Sequence, residues 1–236
     1  MTFASERIEA LKANDQELKT CDLKRGQLFW LAMRIIAGSY RSRALQAPAG
    51  LGTRPTSDRL RETLFDVLAP RIEGAAFLDL YAGSGAVGIE ALSRGAAQAT
   101  FVERSPAALR ILRENLARLG IRAGFRIHAL SVAAFLRASA KASPKSDWYQ
   151  VVFLDPPYDA AREYAATLEL LGGAAAAVLE EGAIVVAEHR RKEKPETQLE
   201  QRYGALERTR LLQTGDAALS FYAASQPRGT PSPGER

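Results

Sequence analysis

From Ala76 onward the chain keeps returning to one unit: a short apolar run, a turn, and then an amphipathic segment of helical length. The apolar runs are Ala76–Tyr81, Ala99–Glu103, Phe125–Ala129, Val151–Asp155 and Ala183–Glu188. Between them lie Val87–Arg94, a segment opened by Ser105-Pro106 and closed by Gly120, Ser131–Arg137 and Arg162–Leu171. Ser105 is a helix cap, Pro106 suits a first helical position, and Gly120 suits a helix end. Strands joined through helices run parallel, and near-continuous apolar strands are covered on both faces. The pattern predicts an α/β fold: a Rossmann-like, doubly wound and mostly parallel sheet. The end breaks the repeat. Leu206–Leu212 and Ala217–Ala224 flank Gln213-Thr214-Gly215-Asp216, which predicts a terminal hairpin.

Upstream of this repeat, Arg34–Leu45 has strand character and Ala47–Arg54 reads as a Pro/Gly loop. A helix is expected after Pro55, capped by Thr56 or Ser57, with Leu60, Leu64, Val67 and Leu68 on its apolar face. Composition bounds the rest. With 47% apolar and 25% charged residues the chain is an ordinary globule. A lone cysteine, Cys21, excludes an internal disulfide framework and suits a reducing cytoplasm. Leu28–Ile36 is too short to span a bilayer and contains Arg34, so no membrane is expected. A net charge of +5 favours a polyanionic partner only weakly. Where the charge sits says more: between Arg34 and Arg61 there are six arginines and one acid, Asp58.

Phe77–Gly88 is where chemistry first shows. A strand ends in Gly83-Ser84-Gly85, which lets backbone bend and approach a ligand, with a helix N-terminus beyond. Glu103 closes the next strand, where a carboxylate grips ribose hydroxyls. Gly83, Gly85 and Gly88 alone also fit a dinucleotide fingerprint or a purely structural turn. Asp79, four residues before Gly83, suits a cofactor with a cationic methionyl group better than one with a pyrophosphate.

The second signal is Val151-Val152-Phe153-Leu154-Asp155-Pro156-Pro157-Tyr158, an apolar strand ending in an acid, two prolines and an aromatic. An exocyclic purine amine is a poor nucleophile because its lone pair is delocalised. The Asp155 carboxylate and the Pro156 carbonyl are acceptors for its two N–H groups, aiming the lone pair and stabilising the positive charge that develops. The prolines fix φ and hold that carbonyl, and Tyr158 offers a face for an unstacked base.

On these residues the chain resembles the amino-methyltransferases that carry Asp-Pro-Pro-Tyr. Within them, Met33–Tyr222 resembles the bacterial guanine-N2 methyltransferases of small-subunit ribosomal RNA, the RsmD family. Met33-Arg34-Ile35-Ile36-Ala37-Gly38, Thr53-Arg54-Pro55-Thr56 with Asp58-Arg59, Asp79–Gly88, Asp155–Tyr158 and Gly215–Tyr222 carry the resemblance. It implies a seven-stranded sheet with an antiparallel last strand and an N-terminal β-hairpin that helps hold RNA. It also implies S-adenosylmethionine as methyl donor, bound by Asp79, Gly83, Gly85 and Glu103, with Asp155, Pro156 and Tyr158 on the guanine. Ser131 stands where related enzymes place Asp or Asn against the adenine ring. Arg41-Ser42-Arg43 stands for their Arg-Gly-Arg.

Arg34, Arg41, Arg43 and Arg54 are then candidate phosphate contacts. No metal is expected, since His128, His189 and Cys21 show no ligand spacing. The organisation expected is an extension over 1–32 that is dispensable or poorly ordered, a hairpin segment over 33–55, the methyltransferase domain over 56–224, and a disordered tail over 225–236. Met33 is itself a possible start. A cytoplasmic monomer acting on small-subunit ribosomal RNA or the assembling subunit follows. Rival readings are an adenine-N6 methyltransferase, a nicotinamide-dependent oxidoreductase, in which Asp155–Tyr158 has no role, and an RNA-binding module without catalysis.

Overall fold

The computed structural model describes residues 33–47, 58–141, 148–157, 161–191 and 199–224. Helix α1 (Asp58–Ile72) precedes strand β1 (Ala76–Leu80), α2 (Ala86–Ser93), β2 (Gln98–Val102), α3 (Pro106–Leu119) and β3 (Phe125–His128). Then come α4 (Val132–Lys141), β4 (Tyr149–Leu154), α5 (Ala161–Leu171), a 3-10 turn at Ala176–Val178, and β5 (Leu179–Arg190). The chain closes with β6 (Arg202–Tyr203), β7 (Leu206–Thr214) and β8 (Ala217–Ala224).

The strands form one sheet in the order β3-β2-β1-β4-β5-β8-β7-β6. The first five are parallel; β8 pairs antiparallel with β5, and β7 with both β8 and β6. The doubly wound α/β sheet and the terminal hairpin are as the sequence predicts, with eight strands in place of seven. The extra one is the two-residue β6, too short to leave a periodic signal. Strand β5 also begins earlier than Ala183, because Leu179-Glu180-Glu181-Gly182 pairs in despite its polar sequence, across an irregularity in the β4–β5 register.

Alternate residues of the central strands feed two layers. Leu78, Leu80, Val152 and Leu154 pack under α4 and α5 with Phe135, Leu136, Tyr164 and Leu168. Phe77, Val151, Phe153 and Val186 pack under α1 and α2 with Leu64, Phe65, Leu68 and Val87. Helix α3 follows the expected signals: the Ser105 hydroxyl accepts from the Ala108 amide, and Gly120 ends it at φ 74°.

The expected N-terminal strand pair is reduced to one antiparallel bridge, Arg34 with Ala44, flanked by Ile35 N to Arg43 O at 3.0 Å and Leu45 N to Met33 O at 2.6 Å. The reason is where its other amides go. Both Glu90 carboxylate oxygens accept from the hairpin, from Ile36 N at 2.8 Å and Ala37 N at 3.0 Å. The Ser93 hydroxyl accepts from Tyr40 N and donates to Ala37 O. Asn115 accepts from Gln46 N and donates to Gln46 O and to Ser84 O. A hairpin whose backbone is satisfied by side chains of α2 and α3 needs no ladder of its own. Gly38 lies against the Ser93 carbonyl, leaving no room for a side chain.

Candidate active site

The strand order reverses between β1 and β4, and the crevice outside the carboxyl ends of such strands is where open α/β sheets bind ligands. The sequence-predicted residues converge there. Asp79 sits on β1, in register with Phe153 of β4, and Asp155 follows the last residue of β4. Gly83 and Gly85 form the turn from β1 into α2, at φ 56° and 80°. Glu103 immediately follows β2, beside that turn: its Oε2 accepts from the Gly83 amide at 2.9 Å and its Oε1 from the Ser105 amide at 2.7 Å.

The two glycines differ in what they serve. A side chain at Gly85 would strike Leu112 of α3, so that position is set by helix packing. At Gly83 the nearest atom a side chain would meet is the Tyr81 carbonyl at 3.9 Å, so its outer face is open to a ligand. Tyr81 itself holds a left-handed φ of 64°, a conformation costly for a non-glycine residue, and its hydroxyl bonds Thr167 of α5 at 2.8 Å.

Asp79 is 2% exposed and its Oδ2 accepts from the Gly88 amide at 2.9 Å. Burial, opposed by that bond and reinforced by the charge of Glu103, pushes its carboxyl up to about 7. A buried acid in this condition suits a cationic ligand group, which would relieve its desolvation. Asp155 is raised well above the ordinary carboxylate range, first by burial, then by the charges of Glu188 and Asp79. The Pro156 carbonyl accepts from the Tyr164 hydroxyl at 3.4 Å, which ties α5 to the loop after β4. Tyr158 and Arg54 lie outside the described residues.

Ser131 is exposed, and its hydroxyl oxygen accepts from the Ala134 amide at 3.3 Å, making it the cap of α4. The arginines do not form one patch of free charges. Arg41 is exposed in the hairpin turn. Arg34 pairs with Asp58 at 3.3 Å. Arg43 donates to the carbonyls of Arg118 at 3.0 Å and Leu119 at 3.3 Å, closing the C-terminus of α3. Among the described residues no group of three or more His, Cys, Asp or Glu side chains could hold a metal ion, and no helix is long and apolar enough to cross a membrane.

Several buried polar residues were not among the residues expected from the sequence. Glu90, Asn115 and Glu188 are each at most 1% exposed. Glu188 ends an apolar strand run just as Asp155 does, a signal that was available; Glu90 and Asn115 bind backbone, which leaves none.

A glycine turn, a carboxylate at the end of the neighbouring strand and an Asp-Pro-Pro loop at the switch point of this sheet define an α/β methyltransferase. The family described as "Conserved hypothetical protein 95" matches residues 33–223. The Bacillus subtilis protein YlbH is 40% identical over 166 residues, 70% of this chain and 87% of that one. Ribosomal RNA small subunit methyltransferase D of Escherichia coli is 47% identical over 127 residues, 53% of this chain and 60% of that protein. The solved structure of Escherichia coli yhhF superposes with a TM-score of 0.68 at 35% identity, covering 83% of this chain and 99% of that one. The chain belongs to the RsmD family of methyltransferases.

Proposed function

We propose that this protein transfers a methyl group from S-adenosylmethionine to the exocyclic N2 amine of a guanine in small-subunit (16S) ribosomal RNA. The observation that carries the reading is the placement of Asp155 and the Pro156 carbonyl across the switch point from Asp79 and the open face of Gly83. Family membership and the activity named for the Escherichia coli relative support the class of substrate.

S-adenosylmethionine supplies an electrophilic methyl carbon. Asp79 faces its cationic methionyl end, Gly83 leaves room along the turn, Glu103 takes the ribose hydroxyls, and the Ser131 hydroxyl borders the adenine. On the acceptor side, Asp155 and the Pro156 carbonyl accept hydrogen bonds from the two amine N–H groups and turn the nitrogen lone pair toward the methyl; once the new N–C bond has formed, one of those protons is lost to water. They also favour the positive charge that grows on nitrogen, and such preorganised contacts are worth about 10²- to 10³-fold each. Tyr164 holds the Pro156 carbonyl from behind. Tyr158 supplies the stacking face, and Arg34, Arg41, Arg43 and Arg54 are the candidate phosphate contacts.

Labelled S-adenosylmethionine incubated with small-subunit RNA lacking the mark should give N2-methylguanosine on digestion. Asp155→Ala should lower turnover at least about 10²-fold with cofactor affinity nearly unchanged. N6-methyladenosine as product would replace guanine by adenine in this reading, and Asp155→Ala turning over within tenfold of wild type would remove Asp155 from the mechanism.

A further inference from the structure

The hairpin of residues 33–45 starts beside the crevice and turns far from it. At its base the Ser84 hydroxyl of the glycine turn reaches the Met33 sulfur at 3.9 Å. Its turn lies at the other ends of the helices beneath. Ser39 N donates at 2.8 Å to the carbonyl of Ser93, the last residue of α2. Arg43 donates to the carbonyls of Arg118 and Leu119, the last two residues of α3. Both helices begin just past the carboxyl ends of β1 and β2, where the crevice lies, and run back along the sheet. Helix α3 has 14 residues, so Arg41, exposed in the hairpin turn, stands roughly 20 Å from the crevice. An RNA chain that lays a guanine on Asp155 and a phosphate on Arg41 has to cross that helical layer.

The outer face of α3 covers the distance, and it is basic. Arg110, Arg113 and Arg118 are exposed, and Glu114 is the only acid in the helix. Arg110 to Arg118 spans two turns, about 12 Å. Arg110 pairs with Glu114 at 3.9 Å, with side chains 75% and 47% exposed. So open a pair is worth little and leaves the guanidinium available to a phosphate. The other route over the same side of the sheet, along α1, has a different sign: there Glu62 and Asp66 are exposed between Arg59 and Arg71. We propose that the exposed face of α3 is the track on which the phosphate backbone of the substrate RNA lies between the crevice and the hairpin turn, with Arg110 and Arg113 as contacts. Such contacts set position and orientation and carry no base sequence. The inference rests on RNA being the substrate and assigns its path.

The test is the affinity of the full-length protein for unmethylated small-subunit RNA, measured across a range of salt. Arg110→Gln with Arg113→Gln should weaken binding and flatten the log–log salt slope by about 1.4, the single-strand value for two lost phosphate contacts. S-adenosylmethionine affinity and melting temperature should stay at wild-type values, since both side chains are exposed. A companion variant, Arg137→Gln with Lys141→Gln, removes the same two charges from exposed positions of α4, which packs on the opposite face of the sheet. Its slope should match the wild type. An unchanged slope in the α3 variant would overturn the inference. An equal fall in both variants would overturn it too, because the effect would then belong to net charge and not to a path. If the wild type forms no methylated nucleoside on this RNA, the reading beneath the inference fails instead, and product analysis shows which has happened.

Discussion

Asp79 carries the most exposed consequence of burial at the residue scale. Its carboxyl titrates near 7 in the free protein against an ordinary 3.8. The folded state thus holds a proton that the unfolded chain releases at lower pH. The stability Asp79 contributes is present below about 4 and is lost as pH rises through about 7. Cofactor binding has the opposite sign. In the proposed site a cationic methionyl group faces Asp79 and favours its ionised carboxyl, so below about 7 each binding event would expel that proton. Calorimetry from pH 5.5 to 8.5 should show S-adenosylmethionine binding tightening by up to about tenfold per pH unit on the acid side and levelling above about 7. In Asp79→Asn the affinity should be weaker and this pH dependence absent. A wild-type affinity flat across the range would mean that Asp79 does not face a cationic group.

The hairpin of residues 33–45 is an element held by others. Glu90 spends one carboxylate on two hairpin amides and on Arg94, whose Nε lies at 2.8 Å. Removing one member of a buried ion pair leaves its partners stranded, at about 3–5 kcal/mol. Glu90→Ala should lower stability by that order and, in hydrogen exchange, deprotect Ile36 and Ala37 before the central strands; uniform protection would show that the hairpin is held otherwise. The same element separates two arginines that the sequence puts on equal footing. Arg41→Ala should flatten the salt dependence of RNA binding by about 0.7 log–log units with stability intact. Arg43→Ala should also cost about 0.3–1 kcal/mol on thermal unfolding, since it removes a cation from the end of α3. Equal melting temperatures for the two would remove the capping role. The central strands were legible because apolar runs end in acids and turns. From the residue pattern alone the hairpin is only strand-like, its turn being implied by the family resemblance, because its amides are satisfied by Glu90, Ser93 and Asn115, and a side chain serving distant backbone has no periodicity to betray it.

For the molecule as a whole, the topology and the convergence of Asp79, Gly83, Glu103 and Asp155 could be read in advance because strand order and motif position together fix the crevice. The adjacency of Asp155 and Glu188 could not, since it depends on the register of two strands distant in sequence. The first described residues already belong to the core. Met33, Ile35 and Leu45 pack with Ile89, Phe101 and Leu112, and the family match begins at Met33. We propose that residues 1–32 are dispensable for catalysis. They carry five acids and five bases, so they bring no net field to an RNA site. The run Leu28-Phe29-Trp30-Leu31 is the one feature that argues for docking, because a contiguous exposed apolar patch invites association. A chain beginning at Met33 should therefore melt within a few degrees of the full-length protein, bind S-adenosylmethionine equally and methylate RNA within about a few-fold, since removing a charge-balanced segment leaves phosphate contacts intact. If the shortened chain folds and binds S-adenosylmethionine but leaves RNA unmethylated, the extension is part of the substrate site, and the domain boundary at Met33 is wrong.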